Sequence, residues 1–223
     1  MPIAWLCDFD GTVSPRDIGA AFVERFSTGG DAARVPELSA WLAGRAGHRE
    51  LSRAQVARVR ATADEALAFA RGFALDPGFA PFALAACARG DAVMVVSEGF
   101  DFYVRDHLER AGLGSLPWAA NHLEFRADGG VDVSFPFADP ACESCGNCKA
   151  GHVRRHHSTG YRTVLVGDGM SDRHGALAAD HVLARGSLRD WCVAESVPHR
   201  AFRDFAELIG GLPEAAAASG ATP

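Results

Sequence analysis

Three short apolar runs, each followed at once by polar residues, dominate the pattern of the chain. They are Ile3 to Cys7 before Asp8, Ala92 to Val96 before Ser97, and Thr163 to Val166 before Gly167 and Asp168. Runs of this length predict buried strands of a parallel sheet. A fourth run, Asp180 to Ala184, predicts another strand of the same sheet. Because ligands of open α/β sheets bind beyond the carboxyl ends of the strands, the polar residues there are expected to converge.

The segment between the first two strands has a different pattern. Residues 15–76 are rich in Ala, Arg and Leu and predict several helices, which we interpret as a helical cap. Residues 77–89 predict a helix that leads back to the sheet. The predicted core domain therefore comprises residues 1–14 and 77–212, in an α/β fold with a Rossmann-like parallel sheet.

The second half of the chain adds a helix, a hairpin and a tail. Residues 101–112 predict a helix, and residues 121–135 alternate around Asp128-Gly129-Gly130, which predicts a β-hairpin. We place that hairpin in a small β insertion over residues 119–147. The tail, residues 213–223, lacks an apolar face and is expected to be disordered.

Composition narrows the classes of function. The chain has 223 residues, with 22 Lys+Arg against 28 Asp+Glu, and its formal charge of -6 disfavours nucleic acid as a partner. The first apolar run has no basic region before it and is too short for a membrane span, so a cytoplasmic protein without a membrane partner is expected. The sequence is compatible with a homodimer but does not specify one.

Six cysteines are unevenly distributed. Cys142, Cys145 and Cys148 are clustered, and the other three are scattered, which suits a reducing compartment better than a disulfide framework. The clustered thiols have the spacing of metal ligands, and a zinc site would need a fourth ligand such as His152 or His122. Packed free thiols or a reversible disulfide beside Lys149 are the alternatives.

The first candidate for chemistry is Asp8-Phe9-Asp10-Gly11-Thr12. Strand alternation points Asp8 and Asp10 the same way, and two carboxylates so close need a cation or a shared proton. Asp and Gly are also ordinary turn residues, so the pentapeptide alone leaves a turn as an alternative. Its form after an apolar strand resembles the first motif of the haloacid dehalogenase-like (HAD) phosphatase superfamily. That resemblance implies a nucleophile at Asp8 and a general acid and base at Asp10.

Three later motifs follow in the order of that family. Ser97 ends the second strand and resembles the residue that hydrogen-bonds the phosphoryl group, with Glu98 and Gly99 beside it. Lys149 resembles the lysine that neutralises the phosphoryl oxygens, and Thr12, Glu98 and Gly99 are assigned to the same phosphate site. Gly167-Asp168-Gly169-Met170-Ser171-Asp172 resembles the acidic fourth motif, in which carboxylates hold Mg²⁺.

The resemblance implies a magnesium site formed by four carboxylates. They are Asp8, Asp10, Asp168 and Asp172. Hard oxygen ligands suit Mg²⁺, and phosphoryl transfer needs positioning and charge neutralisation above all. Asp172 is left with three alternatives: a direct ligand, a ligand through water, or a support for Lys149.

A narrower resemblance covers nearly the whole chain. It is to the phosphoserine phosphatase-like branch, and within it to the phosphatases of methionine salvage that act on 2-hydroxy-3-keto-5-methylthiopentenyl 1-phosphate. The stretches Val96 to Tyr103 and Cys145 to Lys149 carry it with the first motif and with residues 198–205. One departure is Glu98, since the relatives have Ser-Gly-Gly there. If Glu98 points inward, it would repel an anionic substrate or contact a hydroxyl or amine. If it points outward, which we expect, it is an ordinary surface residue.

The substrate is expected to be a small phosphate monoester. Asp17, Arg53 and Arg58 are candidates for contacts with its leaving group, although a solvated helical face explains them as well. Phosphoserine and sugar phosphates are alternative substrates. Two other classes stay open: a phosphotransferase that uses the same phosphorylated aspartate, and a non-catalytic binding protein on the same fold.

Overall fold

The computed structural model describes residues 2–28 and 35–212. The predicted disordered tail, residues 213–223, lies outside the described residues. Seven strands form one sheet in the order β4-β3-β2-β1-β5-β6-β7. They are β1 (Ile3–Cys7), β2 (Ala92–Phe100), β3 (Trp118–Phe125), β4 (Val131–Ser134), β5 (Arg162–Gly167), β6 (His181–Ala184) and β7 (Arg200–Ala201).

All strand pairs in this sheet are parallel except the pair of β3 with β4. Nine α-helices accompany the sheet within the described ranges. They are α1 (Ile18–Phe26), α2 (Val35–Leu42), α3 (His48–Val56), α4 (Ala63–Ala70), α5 (Phe79–Ala88), α6 (Asp101–Arg110), α7 (Lys149–Ser158), α8 (Arg173–Ala178) and α9 (Gly186–Ala194). The predicted α/β class with a Rossmann-like parallel sheet is confirmed.

Both faces of the sheet are buried, which explains the continuous apolar runs of its central strands. Trp5 and Cys7 of β1 pack into one hydrophobic cluster, whereas Leu6 between them packs into a second cluster on the opposite face. Side chains alternate between the faces of a strand, so a strand covered on both sides has to be apolar throughout. Trp5 also donates from its indole nitrogen to Asp91 at 3.2 Å.

The segment predicted as a helical cap contains α1 to α4. Two carboxylates cap the first turn of α1: Asp17 accepts from the backbone N–H of Ala20 at 2.7 Å, and Asp10 accepts from that of Ile18 at 2.8 Å. Such caps satisfy backbone donors that a helix leaves unpaired at its start. The first turn of α1 is thereby joined to the end of β1.

The region predicted as a small β insertion contributes directly to the main sheet. β3 pairs in parallel with β2 and antiparallel with β4, so one strand joins the hairpin to the sheet. β3 begins at Trp118, three residues before the predicted start of the hairpin.

The expected end of the second strand differs from the structure. We expected it to stop before Ser97, but β2 continues to Phe100. Its pairing with β3 shifts register between Val96 and Phe100. Such an irregularity redirects side chains and is frequent beside active sites. Ser97, Glu98 and Gly99 therefore lie inside a distorted strand.

Among the described helices, none combines the length and the apolar character needed to cross a bilayer.

Candidate active site

The ends of three adjacent strands form the floor of the site. In the register of the sheet, Cys7 is opposite Val95 on one side and Val166 on the other. Asp8 follows Cys7, and its backbone N–H donates to the carbonyl of Val166 at 2.9 Å. The parallel register thus brings the first, second and fourth motifs to one edge, as the sequence predicted.

Lys149 connects two carboxylates at the centre of this edge. Its ammonium lies 2.6 Å from Oδ1 of Asp8 and also contacts Asp172. The side chain is completely shielded from solvent. Burial opposes its charge, but Asp172 and Asp8 outweigh that effect and raise the pKa of Lys149. It is the only lysine in the sequence.

Asp172 is held by hydrogen bonds on both oxygens. Oδ1 contacts Lys149, and Oδ2 accepts from the backbone N–H groups of Asp168 at 3.1 Å and Gly169 at 3.0 Å. The residue is fully buried. This arrangement favours the third of the alternatives raised by the sequence, a support for Lys149.

Asp168 lies opposite the loop that follows β1. The hydroxyl of Thr12 donates to its Oδ1 at 2.7 Å, and burial raises the pKa of Asp168 to about 6. Gly11 has a φ of +83°, and a Cβ there would come within 2.3 Å of Oδ2 of Asp168. Only glycine permits this approach. We had assigned Thr12 to the phosphate, whereas its buried hydroxyl is directed to Asp168.

The carboxylates of Asp8, Asp168 and Asp172 form a compact group. Their oxygens lie within 4.8 Å of one another. Burial and the charge of Asp172 raise the pKa of Asp8, while Lys149 opposes the rise. Three carboxylates against one ammonium leave two excess negative charges when all are ionised. Hard oxygen donors with that excess fit a divalent cation such as Mg²⁺.

The carboxylate of Asp10 points elsewhere, although we had grouped it with the metal ligands. Oδ1 accepts from the backbone N–H groups of Ile18 and Gly19, and Oδ2 accepts from the hydroxyl of Tyr103 at 2.6 Å. Burial, followed by the charge of Asp17, raises the pKa of Asp10 to about 7. A carboxyl group with that pKa exchanges protons readily at neutral pH.

Ser97 and Gly99 adjoin Asp10 in the distorted part of β2. Ser97 Oγ lies 3.3 Å from Oδ2 of Asp10 and accepts from the backbone N–H of Gly99 at 2.8 Å. A Cβ at Gly99 would lie 1.8 Å from the hydroxyl of Tyr103 and 2.3 Å from Asp10. Close packing around Asp10 therefore requires glycine at this position.

The expectation that Glu98 points outward is wrong. The residue is 7% exposed, and its Oε2 accepts from the backbone N–H groups of Gly146 at 3.0 Å and Asn147 at 3.1 Å. Oε2 also lies 3.1 Å from Nδ1 of His48. Burial opposes ionisation, but His48 and Lys149 outweigh it and lower the pKa of Glu98. The shifted register of β2 turns this carboxylate into the protein.

A cavity of about 380 Å³ opens above these groups. Its polar floor includes Asp8, Asp10, Ser97 and Asp168, and its opposite wall is largely apolar. The wall is formed by Val23, Leu38, Trp41, Leu42 and Leu51. The sequence favours a place for Trp41 in the core of the cap over one around the substrate, because an aromatic residue in an amphipathic helix is usually part of a core. In the structure Trp41 lines the cavity instead.

Of the three proposed selectivity residues, Asp17 lines this cavity. Arg58 instead pairs with Glu37. The guanidinium of Arg53 lies 5.0 Å from the ring centre of Phe135. Both arginines are thus engaged elsewhere.

The three clustered cysteines lie beside a histidine that the sequence analysis did not select. Sγ of Cys145 is 3.1 Å from Nδ1 of His174, and Sγ of Cys142 is 4.0 Å from the same atom. His152 bonds to Asn147 instead, and His122 bonds to Asp101. The hydrogen bond from Cys145 lowers the pKa of Cys148 to about 5.

Tyr103, His48, Trp41 and His174 are the site residues that we did not select from the sequence. Tyr103 ends a stretch that carries the family resemblance, which was the available signal, and the structure places it in the first turn of α6. His48 and His174 have no local signal. They are brought to the site by helices that are distant in sequence from the residues they contact.

Comparison with known proteins identifies the family. A family model for haloacid dehalogenase-like hydrolases matches residues 5–177. The chain belongs to this family. It is accordingly a phosphatase, a hydrolase of phosphoric monoesters, and the predicted HAD type of the core is confirmed.

Relatives with assigned names cover almost the whole chain. The 2-hydroxy-3-keto-5-methylthiopentenyl-1-phosphate phosphatase of Brevibacillus brevis is 28% identical over 206 residues, 91% of either chain. The protein of the same name from an Exiguobacterium species is 30% identical over 217 residues. The alignment covers 91% of this HAD phosphatase and 94% of the Exiguobacterium protein.

Solved structures show the same fold. A substrate-bound phosphoserine phosphatase superposes with a TM-score of 0.71 at 20% identity. The superposition covers 94% of this chain and 98% of the phosphoserine phosphatase chain. A HAD family hydrolase from Salmonella enterica serovar Typhi superposes with a TM-score of 0.74 at 17% identity. The superposition covers 96% of this chain and 72% of the Salmonella chain. HAD phosphatases generally depend on Mg²⁺, and Asp8, Asp168 and Asp172 of this chain form an acidic group that could hold such an ion.

Proposed function

We propose that this HAD phosphatase hydrolyses a phosphate monoester whose leaving group carries no charge, either 2-hydroxy-3-keto-5-methylthiopentenyl 1-phosphate or a close analogue. The reaction proceeds through a phosphorylated Asp8. The observation that carries the chemistry is the buried contact between Asp8 and Lys149, at 2.6 Å. The observation that carries the substrate is the apolar wall opposite that floor. Helices α1, α2 and α3 of the predicted cap supply this wall.

In the first step, an oxygen of Asp8 attacks phosphorus and the bond to the leaving-group oxygen breaks. Asp10 gives its proton to that oxygen, and a pKa of about 7 suits a group that must be protonated before the step and ionised after it. In the second step, water attacks the phosphorus. Asp10 takes a proton from the water, and Asp8 is released together with inorganic phosphate.

Charge neutralisation accompanies both steps. Lys149 is fixed by Asp172 so that its ammonium faces Asp8, and Ser97 offers a hydroxyl at the same floor. Asp8 and Asp168 would hold Mg²⁺, with Asp172 behind them. A bound Mg²⁺ supplies positive charge to the phosphoryl oxygens and favours the ionised form of the nucleophile.

The lining of the cavity discriminates between substrates. Among the described residues that line it there is neither lysine nor arginine, whereas Asp17 and Glu98 both contribute carboxylates. Those carboxylates would attract the ammonium of phosphoserine, but its carboxylate would meet no lysine or arginine among the described lining residues, at a cost in desolvation. An apolar tail would instead bury surface against Leu38, Trp41 and Leu51. The wall therefore favours the substrate named for the sequence relatives over the one named for the structural neighbours.

The test is phosphate release with Mg²⁺ from three compounds: the methylthiopentenyl phosphate, phosphoserine and a small sugar phosphate. We expect the first to have a kcat/KM at least tenfold above the others. Equal values for the first two would contradict the substrate assignment but not the phosphatase assignment. Added acceptor alcohols should leave the yield of inorganic phosphate unchanged, because a phosphotransferase would divert the phosphoryl group to them.

Two variants separate chemistry from folding. Asp8→Asn should abolish phosphate release while it still binds the substrate. Asp190→Asn changes an exposed aspartate that pairs with Arg189 on α9 and should retain full activity. Activity of Asp8→Asn equal to that of Asp190→Asn would exclude Asp8 as the nucleophile.

A further inference from the structure

A second group of ligand atoms lies outside the phosphatase floor. It consists of the thiols of Cys142, Cys145 and Cys148 and the imidazole of His174, whose ligand atoms all lie within 4.8 Å of one another. The three cysteines belong to the loop before α7, and His174 belongs to α8. We call these four residues the thiol cluster. Its members come from two chain segments that only the tertiary fold brings together.

The four ligand atoms of the thiol cluster lie near the positions that a tetrahedral zinc site requires. In a tetrahedral site with Zn–S of about 2.3 Å and Zn–N of about 2.0 Å, ligand atoms are separated by roughly 3.5 to 3.8 Å. The separations from Nδ1 of His174 to the sulfurs of Cys145 and Cys142, 3.1 and 4.0 Å, bracket that value. Small side-chain rotations would therefore complete a tetrahedron.

The chemistry of the donors selects the metal class. Three thiolates and one imidazole are soft ligands, which favour zinc over magnesium. All six cysteines are free thiols, so no disulfide competes for the sulfurs. Cys145 and Cys148 are buried, as in structural zinc sites. A pocket lined in part by Ser144, Cys145 and His174 adjoins the cluster, and it shares Trp41 and Glu98 with the catalytic cavity.

The backbone around the thiols is held by hydrogen bonds from α3. Arg49 of α3 donates from Nε to the carbonyl of Cys145 at 2.6 Å and also contacts the carbonyl of Cys142. The backbone N–H of Arg49 donates to the carbonyl of Ser144 at 3.0 Å. Outer partners of this kind orient the ligands of metal sites.

We propose that Cys142, Cys145, Cys148 and His174 bind one zinc ion in a closed, structural site. This site is distinct from the carboxylates assigned to Mg²⁺. It would join the loop before α7 to α8.

The position of the zinc site suits it to fix the orientation of Lys149, and this inference rests on the proposed function. Cys148 immediately precedes Lys149, and His174 lies two residues after Asp172, the partner that fixes the same lysine. A zinc ion between the two segments would hold Lys149 and Asp172 in register. The four zinc ligands would thus act as positioning residues, without touching the substrate.

The first test measures the zinc content of the full chain, purified under reducing conditions with Zn²⁺ and freed of excess metal. We expect one zinc ion per chain. Cys145→Ser and His174→Ala should each weaken binding by about 100-fold or more, because a lost ligand costs at least as much as a lost outer partner. Zinc content in the wild type equal to that of Cys145→Ser would overturn the proposal.

Two control variants identify the site. Cys87→Ser removes an exposed thiol outside the cluster and should retain one zinc ion. Asp168→Asn disables the acidic group and should retain it as well. Loss of zinc in Asp168→Asn, with retention in Cys145→Ser, would place the ion among the carboxylates and overturn the proposal.

A spectroscopic test does not depend on the folding of any variant. Wild-type protein loaded with Co²⁺ should show sulfur-to-cobalt charge transfer and the intense visible bands of tetrahedral cobalt. Absence of the charge-transfer band would overturn the zinc site.

Because Lys149 is the only lysine in the sequence, protein with isotope-labelled lysine gives one set of side-chain NMR signals. These signals report whether the zinc site positions Lys149. We expect those signals to shift or broaden on zinc removal. Unchanged signals would overturn the positioning task alone. A chain that binds zinc but releases no phosphate would contradict the proposed function and leave the zinc site intact.

Discussion

The hydroxyl of Tyr103 donates a hydrogen bond of 2.6 Å to Oδ2 of Asp10. Tyr103 is fully buried and lies in the first turn of α6, so the bond joins that helix to the end of β1. A donor to the ionised carboxylate stabilises that form and limits the increase in pKa that burial causes. The acidity of the proposed proton carrier is therefore set by a residue from another part of the chain.

Tyr103→Phe should shift the pH dependence of catalysis. Loss of the hydrogen bond raises the pKa of Asp10 above its value of about 7, so the protonated form persists to higher pH. The basic limb of kcat/KM should move upward by about one pH unit, since a bond to a charged group is worth about 1.5 kcal/mol. Tyr161→Phe, at the only other tyrosine, should leave the limb in place. A downward shift in Tyr103→Phe would contradict the assignment.

Gly99→Ala should disrupt Asp10 sterically. The added Cβ would come within 1.8 Å of the Tyr103 hydroxyl and 2.3 Å of Asp10, so one of them must move. A displacement of about 1 Å costs roughly 100-fold in rate, and we expect kcat to fall by that order. Gly114→Ala, where a Cβ meets its nearest neighbour at 3.4 Å, is the matched control. Similar kinetics for the two variants would refute the packing argument.

Lys149→Met should reduce both stability and activity. It leaves the buried carboxylates of Asp8 and Asp172 without their cation, which costs about 3 to 5 kcal/mol of unfolding free energy. Urea denaturation measures this loss. The double variant Lys149→Met with Asp172→Asn should recover part of the stability, because one uncompensated charge is removed, but should recover no phosphate release. Recovery of activity would show that Lys149 acts only in folding.

Mg²⁺ should stabilise the folded protein through Asp168. A ligand that binds only the native state adds about 2.7 kcal/mol at a hundred times its Kd, so thermal unfolding should move to higher temperature as Mg²⁺ is added. Asp168→Asn should abolish that increase. Without metal, the same variant should be at least as stable as the wild type, because burial and Asp172 already disfavour the charge of Asp168. A full Mg²⁺ response in Asp168→Asn would exclude it as a ligand.

Glu98→Ala should loosen the loop before α7. It removes the acceptor of the Gly146 and Asn147 backbone N–H groups, and each buried donor left unpaired costs about 1 to 3 kcal/mol. Glu98→Gln keeps an acceptor oxygen and should cost less. Urea denaturation of the two variants provides the comparison, and equal losses would mean that these two bonds contribute little.

The ends of β1 and β5, and the residues that follow them, could be predicted from the apolar runs alone. Asp8 and Asp168 could be selected because each follows a short apolar run, and parallel strands of one sheet end at the same edge. Lys149 could be selected from motif order. These inferences succeed because burial on both faces of a sheet leaves a local signature in the chain.

The roles of the remaining groups depend on contacts between distant segments, which the local sequence does not show. Glu98 was expected at the surface, yet a register shift in β2 turns it toward Gly146, 48 residues away. His174 completes the thiol cluster from α8, although nothing beside it in the sequence marks it as a ligand. The direction of such side chains depends on contacts between distant segments, and those contacts form only when the whole core packs.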